Sequence, residues 1–242
     1  MTRIRVMTYN IGHYNMGRSR HGYPPDVMDE KVAGYKELIM QYAPEIIGVQ
    51  EDNTYCDQAG KIKAQDYVYK PVYRYRVGGA GSTIKTMFPV VSGTVESGKL
   101  DTGASYKRGV WRVEDRRVMV ISLHATAHAG NTEKRRRDYA NVFAMAEKEE
   151  WDACIICGDF NTREDADKAC LAGMCAENGY EMAIGTYLPW VDTYLGRTEG
   201  ATRYSFDNVL VSGGSIRRVQ VLRDWWERLY SDHVPVICEI VW

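Results

Sequence analysis

The chain has no run of apolar residues approaching the roughly 18 that a membrane span requires, so no membrane-crossing helix is expected. It carries almost no excess of either charge, with 31 Lys and Arg against 32 Asp and Glu. That balance excludes a chain that gathers nucleic acid by its global field alone, and it lacks the acidic bias of disorder. The opening MTRIRVMTYN lacks the apolar core and small-residue cleavage site of a secretory leader, which leads to the expectation of a cytoplasmic protein. No internal repeat, low-complexity tract or linker interrupts the 242 residues, so a single domain spanning 1–242 is expected, long enough to bury a substantial core. Glycine-rich RVGGAGSTIK does not match a P-loop and reads as a turn. Six cysteines are present, and Cys154 and Cys157 form a C-x-x-C, but no second pair at zinc-knuckle spacing accompanies it. The pair lies inside the apolar ACIIC, where free cysteine behaves as a small hydrophobe, so buried thiols in a reducing compartment are expected.

What is present alternates between strand and helix patterns. RIRVMTY (3–9) alternates apolar and polar residues, as a half-buried strand does. A helix is predicted over about 28–42, where Val32, Tyr35, Ile39 and Tyr42 recur at helical spacing before Pro44. EIIGVQ (45–50) is a short apolar strand. The stretch from 55 to 105 reads as short β segments and loops. YKRGVWRV and RRVMVISLHA form a hairpin, ACIIC a buried strand, and FDNVLVS, SIRRVQVL and PVICEIVW the last strands. Helices are predicted over 133–150 and 164–178. Strands alternating with helices, mixed with hairpins, predict an α/β (α+β) fold with mixed sheets.

Polar residues gather where these strands end. VMTYN stops at Asn10, IIGVQE at Glu51, VMVISLH at His124 and CIICGDFN at Asp159 and Asn161, while Asp207 and the pair Asp232 and His233 sit at the mouths of later strands. Singly, each is as readily a turn residue, a solvated strand end or a core histidine. Together they are a kit for phosphoester hydrolysis. Oxygen ligands such as Asn10, Glu51 and Asp232 suit a hard divalent cation. Histidine is suited to moving a proton near neutral pH, and a buried carboxylate such as Asp207 fixes its tautomer. Asn161 and a protonated His124 are donors for the phosphoryl oxygens. No Ser or Cys nucleophile motif is evident, so direct attack by water is expected.

The segments TYN, GVQE, SLHA, GDFN, SFDNVLVS and SDHVPV follow one another, from residue 6 to about 240, in the order seen in the endonuclease/exonuclease/phosphatase superfamily. The chain resembles that superfamily over its whole length, and GDFN and SDH are the most specific pieces. The resemblance implies a four-layer sandwich of two face-to-face mixed β-sheets flanked by helices, and a phosphoesterase using Mg2+, with Mn2+ as a substitute. It also implies Asn10 and Glu51 at the metal with Asp232 nearby, Asp159 and Asn161 facing the scissile phosphate, and His233 oriented by Asp207 toward the attacking water. His124 contacts the phosphate or serves the leaving group, and either Asp159 or His233 is the general base. Apurinic-site endonucleases carry an acidic residue where this chain has Gly12, which weakens a repair-endonuclease assignment.

For substrate contacts, the residues offer Arg108 in YKRGVWRV and the aromatic Trp225, Trp226 and Tyr230 in RDWWERLYSDH, with one tryptophan expected in the core and the other at the rim. A second aromatic stretch, GTYLPWVDTYLG, also flanks the site, and His13, Tyr14 and His21 follow Asn10. Basic EKRRRD reads as a solvated helix face. A phosphodiester in nucleic acid is the first expectation and a lipid or small-molecule phosphoester the second. A non-catalytic binding domain and a zinc-thiolate protein are the rivals from other classes. No partner protein is implied.

Overall fold

The structure is a computed structural model that describes residues 2–12, 25–52, 70–71, 81–86, 96–196, 200–229 and 231–242. Its strands form two six-stranded sheets. The first contains β1 (Arg3–Asn10), β2 (Ile46–Asp52), β3 (Lys70–Pro71), β4 (Gly81–Thr86), β11 (Ser215–Val221) and β12 (Val236–Val241), in the order β11-β12-β1-β2-β4-β3. The second contains β5 (Glu96–Lys99), β6 (Ser105–Val113), β7 (Arg116–His124), β8 (Ala153–Asp159), β9 (Glu181–Met182) and β10 (Asp207–Ser212), in the order β5-β6-β7-β8-β10-β9. Each sheet has one parallel pair among antiparallel neighbours: β1 with β2, joined through α1 (Pro25–Tyr42), and β7 with β8, joined through α2 (Thr132–Ala146). A parallel pair needs such a crossover to return the chain to the same edge. Helix α3 (Asp165–Glu177) and the short α4 (Trp226–Leu229) complete the helices among the described residues.

Three apolar clusters make the layers. Between the sheets, Ile4, Val6 and Ile46 meet Trp111, Val118, Val120, Ile155 and Val209. Outside the first sheet, Met7, Tyr9, Ile47 and Val49 pack on Tyr35, Leu38 and Ile39 of α1 and on Leu229. Outside the second, Met119, Ile121, Cys154 and Ile156 pack on Tyr139, Val142 and Phe143 of α2 and Leu171 of α3. Helix, sheet, sheet and helix therefore stack in four layers, as the sequence led one to expect. Helix α2 stops at Ala146, short of the predicted 150, because EKEE places four charged residues beyond the apolar face.

Strand alternation decides what faces what, since successive side chains point to opposite faces. On β8, Cys157 joins the inter-sheet core while Cys154 packs in the helix layer. The two thiols of the C-x-x-C are therefore on opposite faces, cannot share one metal ion, and are pushed up to about 12 by burial. Among the described residues no helix is long and apolar enough to cross a membrane.

Candidate active site

The inter-sheet faces of β1, β7 and β8 begin apolar and end polar, and the antiparallel β10 reverses the order, with Asp207 first and Val209 and Val211 after it. Asn10 follows Ile4 and Val6 on β1, His124 follows Val118 and Val120 on β7, and Asp159 follows Ile155 and Cys157 on β8. The parallel pairings bring the carboxyl ends of β1 and β2, and of β7 and β8, to the same end of each sheet. Register then sets the second sheet's contribution: His124 pairs with Asp159, and Asp159 pairs on its other side with Asp207. Three neighbouring strands thus present a histidine and two carboxylates in one row.

Glu51 reaches the cluster by a different route. Parity along β2 would turn it with Ile47 and Val49 toward α1. Instead the pairing with β4 slips between Val49 and Asp52, and Glu51 adopts a left-handed backbone with φ 58°. A bulge re-aims a side chain in this way. A non-glycine residue held left-handed stores strain that the surrounding structure must support, and Asn161, at φ 51°, does the same.

The polar groups interlock. Asn10 Nδ2 donates to Asp159 Oδ2 at 2.9 Å and to Glu51 Oε1 at 3.3 Å, while its Oδ1 accepts the Gly12 N–H at 3.0 Å. His124 Nε2 lies 3.7 Å from Asp159 Oδ2 and 3.9 Å from Glu51 Oε1. His233 Nδ1 is 2.8 Å from Asp207 Oδ2, and its Nε2 is 3.7 Å from Asp159 Oδ2. Asn161 donates from its side chain to the Ala125 carbonyl at 3.1 Å and from its backbone to Asp159 Oδ1 at 2.9 Å. Burial opposes a charge on His233, but Asp207 and Asp159 outweigh it and push the imidazole up to about 10. Burial raises the Asp159 carboxyl, against the pull of His233.

Asp232 flanks this cluster. A Cβ built on Gly12 would meet Ser231 Oγ at 3.2 Å and Asp232 Oδ1 at 3.4 Å, and Gly12 has φ 57°. A side chain at this position would therefore sit on a left-handed backbone and press against the Ser231 hydroxyl. Ser231 Oγ donates to the Asn10 carbonyl at 2.8 Å, tying the turn before β12 to the end of β1.

Beneath these groups the inter-sheet space is polar and cross-linked. Thr8 Oγ1 donates to Gln50 Oε1 at 3.3 Å, and Gln50 Nε2 donates to Ser122 Oγ at 3.1 Å, one bond within the first sheet and one between the sheets. Lys107, 1 % exposed, shares the inward parity of Trp111 and Val113 on β6, and burial pulls its ammonium down to about 8. The next residue, Arg108, faces the other way: its guanidinium binds Glu96, with Nε at 2.8 Å, and the Met145 carbonyl at 3.2 Å. Arg108 is thus a helix-layer ion pair and does not reach the cluster. Sequence alone missed Lys107 because KR offers two basic residues and only the alternation chooses between them.

Trp225 is 5 % exposed and packs in the helix layer of the first sheet against Tyr42, with Arg228 Cζ 4.7 Å from its ring. It is a core residue. Trp226 is half-buried and begins α4. Tyr230, His13, Tyr14 and His21 lie outside the described residues. The aromatic wall beside the cluster is built from other residues. Tyr194 meets His233 edge-on at 5.1 Å, Phe206 lies 5.9 Å from the imidazole, and Tyr204 stacks on Phe206 at 4.9 Å and 5°.

Divalent-cation ligands should be hard oxygens. Glu51 and Asp159 converge on one amide N–H2 group and one imidazole, a pair of carboxylates of the kind a divalent cation takes. A second grouping, Asp159, Asp207 and His233, lies within mutual reach, but the 2.8 Å contact between Asp207 and His233 Nδ1 is that of a hydrogen-bonded acid–histidine pair.

Comparison with solved structures shows the same fold at low identity. D. rerio TDP2 complexed with single-strand DNA product matches with TM-score 0.74 and 13% identity, covering 99% of both chains. The human Nocturnin catalytic domain with bound sulfate anion matches with TM-score 0.70 and 17% identity, covering 98% of this chain and 94% of that one. An endonuclease/exonuclease/phosphatase family protein from Bacteroides thetaiotaomicron gives TM-score 0.69 and 17% identity, covering 100% and 95%. At these identities the likeness establishes the fold. A search of curated proteins gives no match. The model of the Endonuclease/Exonuclease/phosphatase family matches residues 7–233, and the chain, with its four-layer fold and its polar cluster at the strand ends, belongs to that family of hydrolytic phosphoesterases.

Proposed function

We propose that this protein is a divalent-metal-dependent phosphodiesterase acting on nucleic acid, hydrolysing a P–O bond by direct attack of water. The observation that carries the reading is the row His124–Asp159–Asp207 across three strands, with His233 bonded to Asp207 through Nδ1 and turned to Asp159 through Nε2. Glu51, Asn10 and Asp232 would hold Mg2+ or Mn2+, Asn10 by turning its amide oxygen toward the cation. Such an ion, when bound, supplies positive charge to the phosphoryl oxygens and lowers the pKa of a water.

The chain's own residues supply the rest. Asp207, fully buried, fixes the imidazole of His233 with Nε2 facing the site. The Asp159–His233 pair takes one proton from the attacking water as its oxygen bonds to phosphorus. Asn161, held by Ala125, offers its remaining side-chain N–H to a phosphoryl oxygen, where preorganised donors count most as charge develops. His124 faces the pair across the carboxylates and donates a proton to the departing alkoxide as the P–O bond breaks. The single-strand DNA product bound to D. rerio TDP2 supports nucleic acid as the substrate class. The bound sulfate in Nocturnin is consistent with a phosphoryl-sized anion site on this fold.

Hydrolysis of plasmid DNA, an abasic-site duplex, RNA, sphingomyelin, inositol phosphates and bis-(p-nitrophenyl) phosphate, each with Mg2+, Mn2+ and EDTA, tests the reading. EDTA-sensitive cleavage of DNA or RNA that His233→Ala abolishes is expected. Preferred cleavage of sphingomyelin or an inositol phosphate would move the assignment to the lipid or small-molecule branch. Absence of turnover with any metal would leave a binding domain on the same fold.

A further inference from the structure

Arg163 follows Asn161 by two residues and occupies the short link between the end of β8 and α3. The link is pinned at both ends. Arg163 donates its backbone N–H to the Asn161 carbonyl at 2.7 Å, Thr162 is buried and bonds the Ser205 carbonyl, and Glu164 closes a capping box with Asp167 at the start of α3. The side chain therefore leaves a fixed backbone immediately beside the catalytic cluster.

Its guanidinium lies over aromatic rings, with Cζ 4.4 Å from the centroid of Tyr204 and 5.2 Å from that of Phe206. Phe206 also lies 5.9 Å from the His233 imidazole, so the imidazole and the guanidinium both meet one aromatic wall. The charge is felt within that wall, where burial raises the Tyr194 phenol and Arg163 opposes the rise.

Several other arginines place a carboxylate on the guanidinium, Arg5 with Glu45, Arg108 with Glu96, Arg135 with Asp167 and Arg136 with Glu133, although the Nε–H of Arg135 and of Arg136 has no partner of its own. Arg163 bonds no acceptor from its guanidinium among the described residues, and its enclosed Nε–H is without a partner. An enclosed charged donor with no acceptor is costly. A guanidinium held over rings keeps its N–H fork available, the geometry that grips a phosphate by two parallel bonds.

We infer that Arg163 binds a second phosphate of the substrate, the neighbour along the strand of the phosphate being hydrolysed, and so selects a polyanionic nucleic-acid strand over an isolated phosphodiester. The inference rests on the phosphodiesterase reading above and names what that site prefers. A guanidinium that shares an aromatic wall with the imidazole is displaced from the scissile phosphate along the wall, where an adjacent backbone phosphate of an extended strand falls.

The test compares a single-stranded oligonucleotide with bis-(p-nitrophenyl) phosphate, which carries one anionic group, on wild type, Arg163→Gln and Arg163→Lys, with melting curves as the folding control. Arg163→Gln is expected to lower kcat/KM on the oligonucleotide by about 10- to 100-fold, mainly through KM, from loss of charge-assisted hydrogen bonds. Hydrolysis of bis-(p-nitrophenyl) phosphate is expected to stay near wild type, and Arg163→Lys to recover part of the loss. A neutral methylphosphonate beside the scissile bond, placed on each side in turn, should reproduce the loss from one side only and add nothing to Arg163→Gln. Equal losses on both substrates, no loss on the oligonucleotide, or additive losses with the methylphosphonate would overturn the assignment. If wild type hydrolyses neither substrate, it is the phosphodiesterase reading that fails. Fluorescence anisotropy of the same oligonucleotide in EDTA then decides the contact, with about tenfold weaker binding by Arg163→Gln expected and equal binding contradicting it.

Discussion

Ile4 and Val6 point into the same inter-sheet space as Thr8 and Asn10, from the same face of the same strand. On β8, Ile155 and Cys157 share a face with Asp159 in the same way. One end of the sandwich is a dry core, and the other is a cross-linked set of hydrogen-bonding groups ending in three carboxylates (Glu51, Asp159 and Asp207), two histidines and two amides. Burial stabilises the first end, at roughly 25 cal/mol for each Å² of apolar surface removed from water. It penalises the second, where each charge must be met by a partner. The dry end holds the strands rigid, and the wet end uses that rigidity to place functional groups, which strands do more accurately than loops.

If the two ends divide the labour this way, substitutions should separate stability from activity. Asp159→Asn should have the largest effect, lowering kcat by about 10²- to 10⁴-fold, the range for loss of a positioned proton acceptor. Because burial already disfavours the Asp159 carboxylate, the variant should melt at or above the wild-type temperature; a coincident loss of fold would break the comparison. Ile155→Ala, at a fully buried position of the dry end, should do the reverse. It should cost about 2–5 kcal/mol in urea unfolding while the folded fraction keeps its kcat.

Lys107 sharpens the comparison through pH. Its folded-state pKa is depressed to about 8 from about 10.4 in the unfolded chain. The unfolded state therefore holds the proton more tightly, and wild-type stability should rise as pH increases between those values. Lys107→Met should be the more stable protein below pH 8, by up to about 3 kcal/mol, and should lose that advantage toward pH 10.4. Urea midpoints at the two ends of this window give the answer, and a pH-independent difference would contradict it. Ser122→Ala should have the smallest effect. It leaves Gln50 Nε2 without its acceptor and should cost about 1–2 kcal/mol, with a modest loss of kcat from a loosened Gln50 and its neighbour Glu51.

Much of this arrangement was legible in the sequence, for a definite reason. Asn10, His124, Asp159 and Asp207 continue the inward parity of the apolar residues before or after them, so reading the strands also read the site. Glu51 was legible as a polar strand end and as an oxygen ligand, but its parity points to the helix layer and only the bulge turns it inward. Arg108 was singled out because it precedes Gly109, and that local signal does not say which face of β6 it takes. Trp225 was read as a rim residue or a core residue with equal ease, and its place under α1 depends on how the chain turns after β11. Arg163 carries no local signal, because its meaning lies in rings contributed by residues some forty positions later. Tertiary contact creates that site, and periodicity cannot foresee it.

The central claim is that the wet end is a divalent-metal phosphodiester-cleaving centre built around Glu51 and Asp159. Mn2+ titration followed by electron paramagnetic resonance, in parallel with bis-(p-nitrophenyl) phosphate hydrolysis, tests it most directly on wild type and Glu51→Gln. Saturable Mn2+ binding should track the onset of activity in wild type, and both should be lost together in Glu51→Gln. Hydrolysis that survives EDTA, or Mn2+ binding that Glu51→Gln leaves unchanged, would contradict the account.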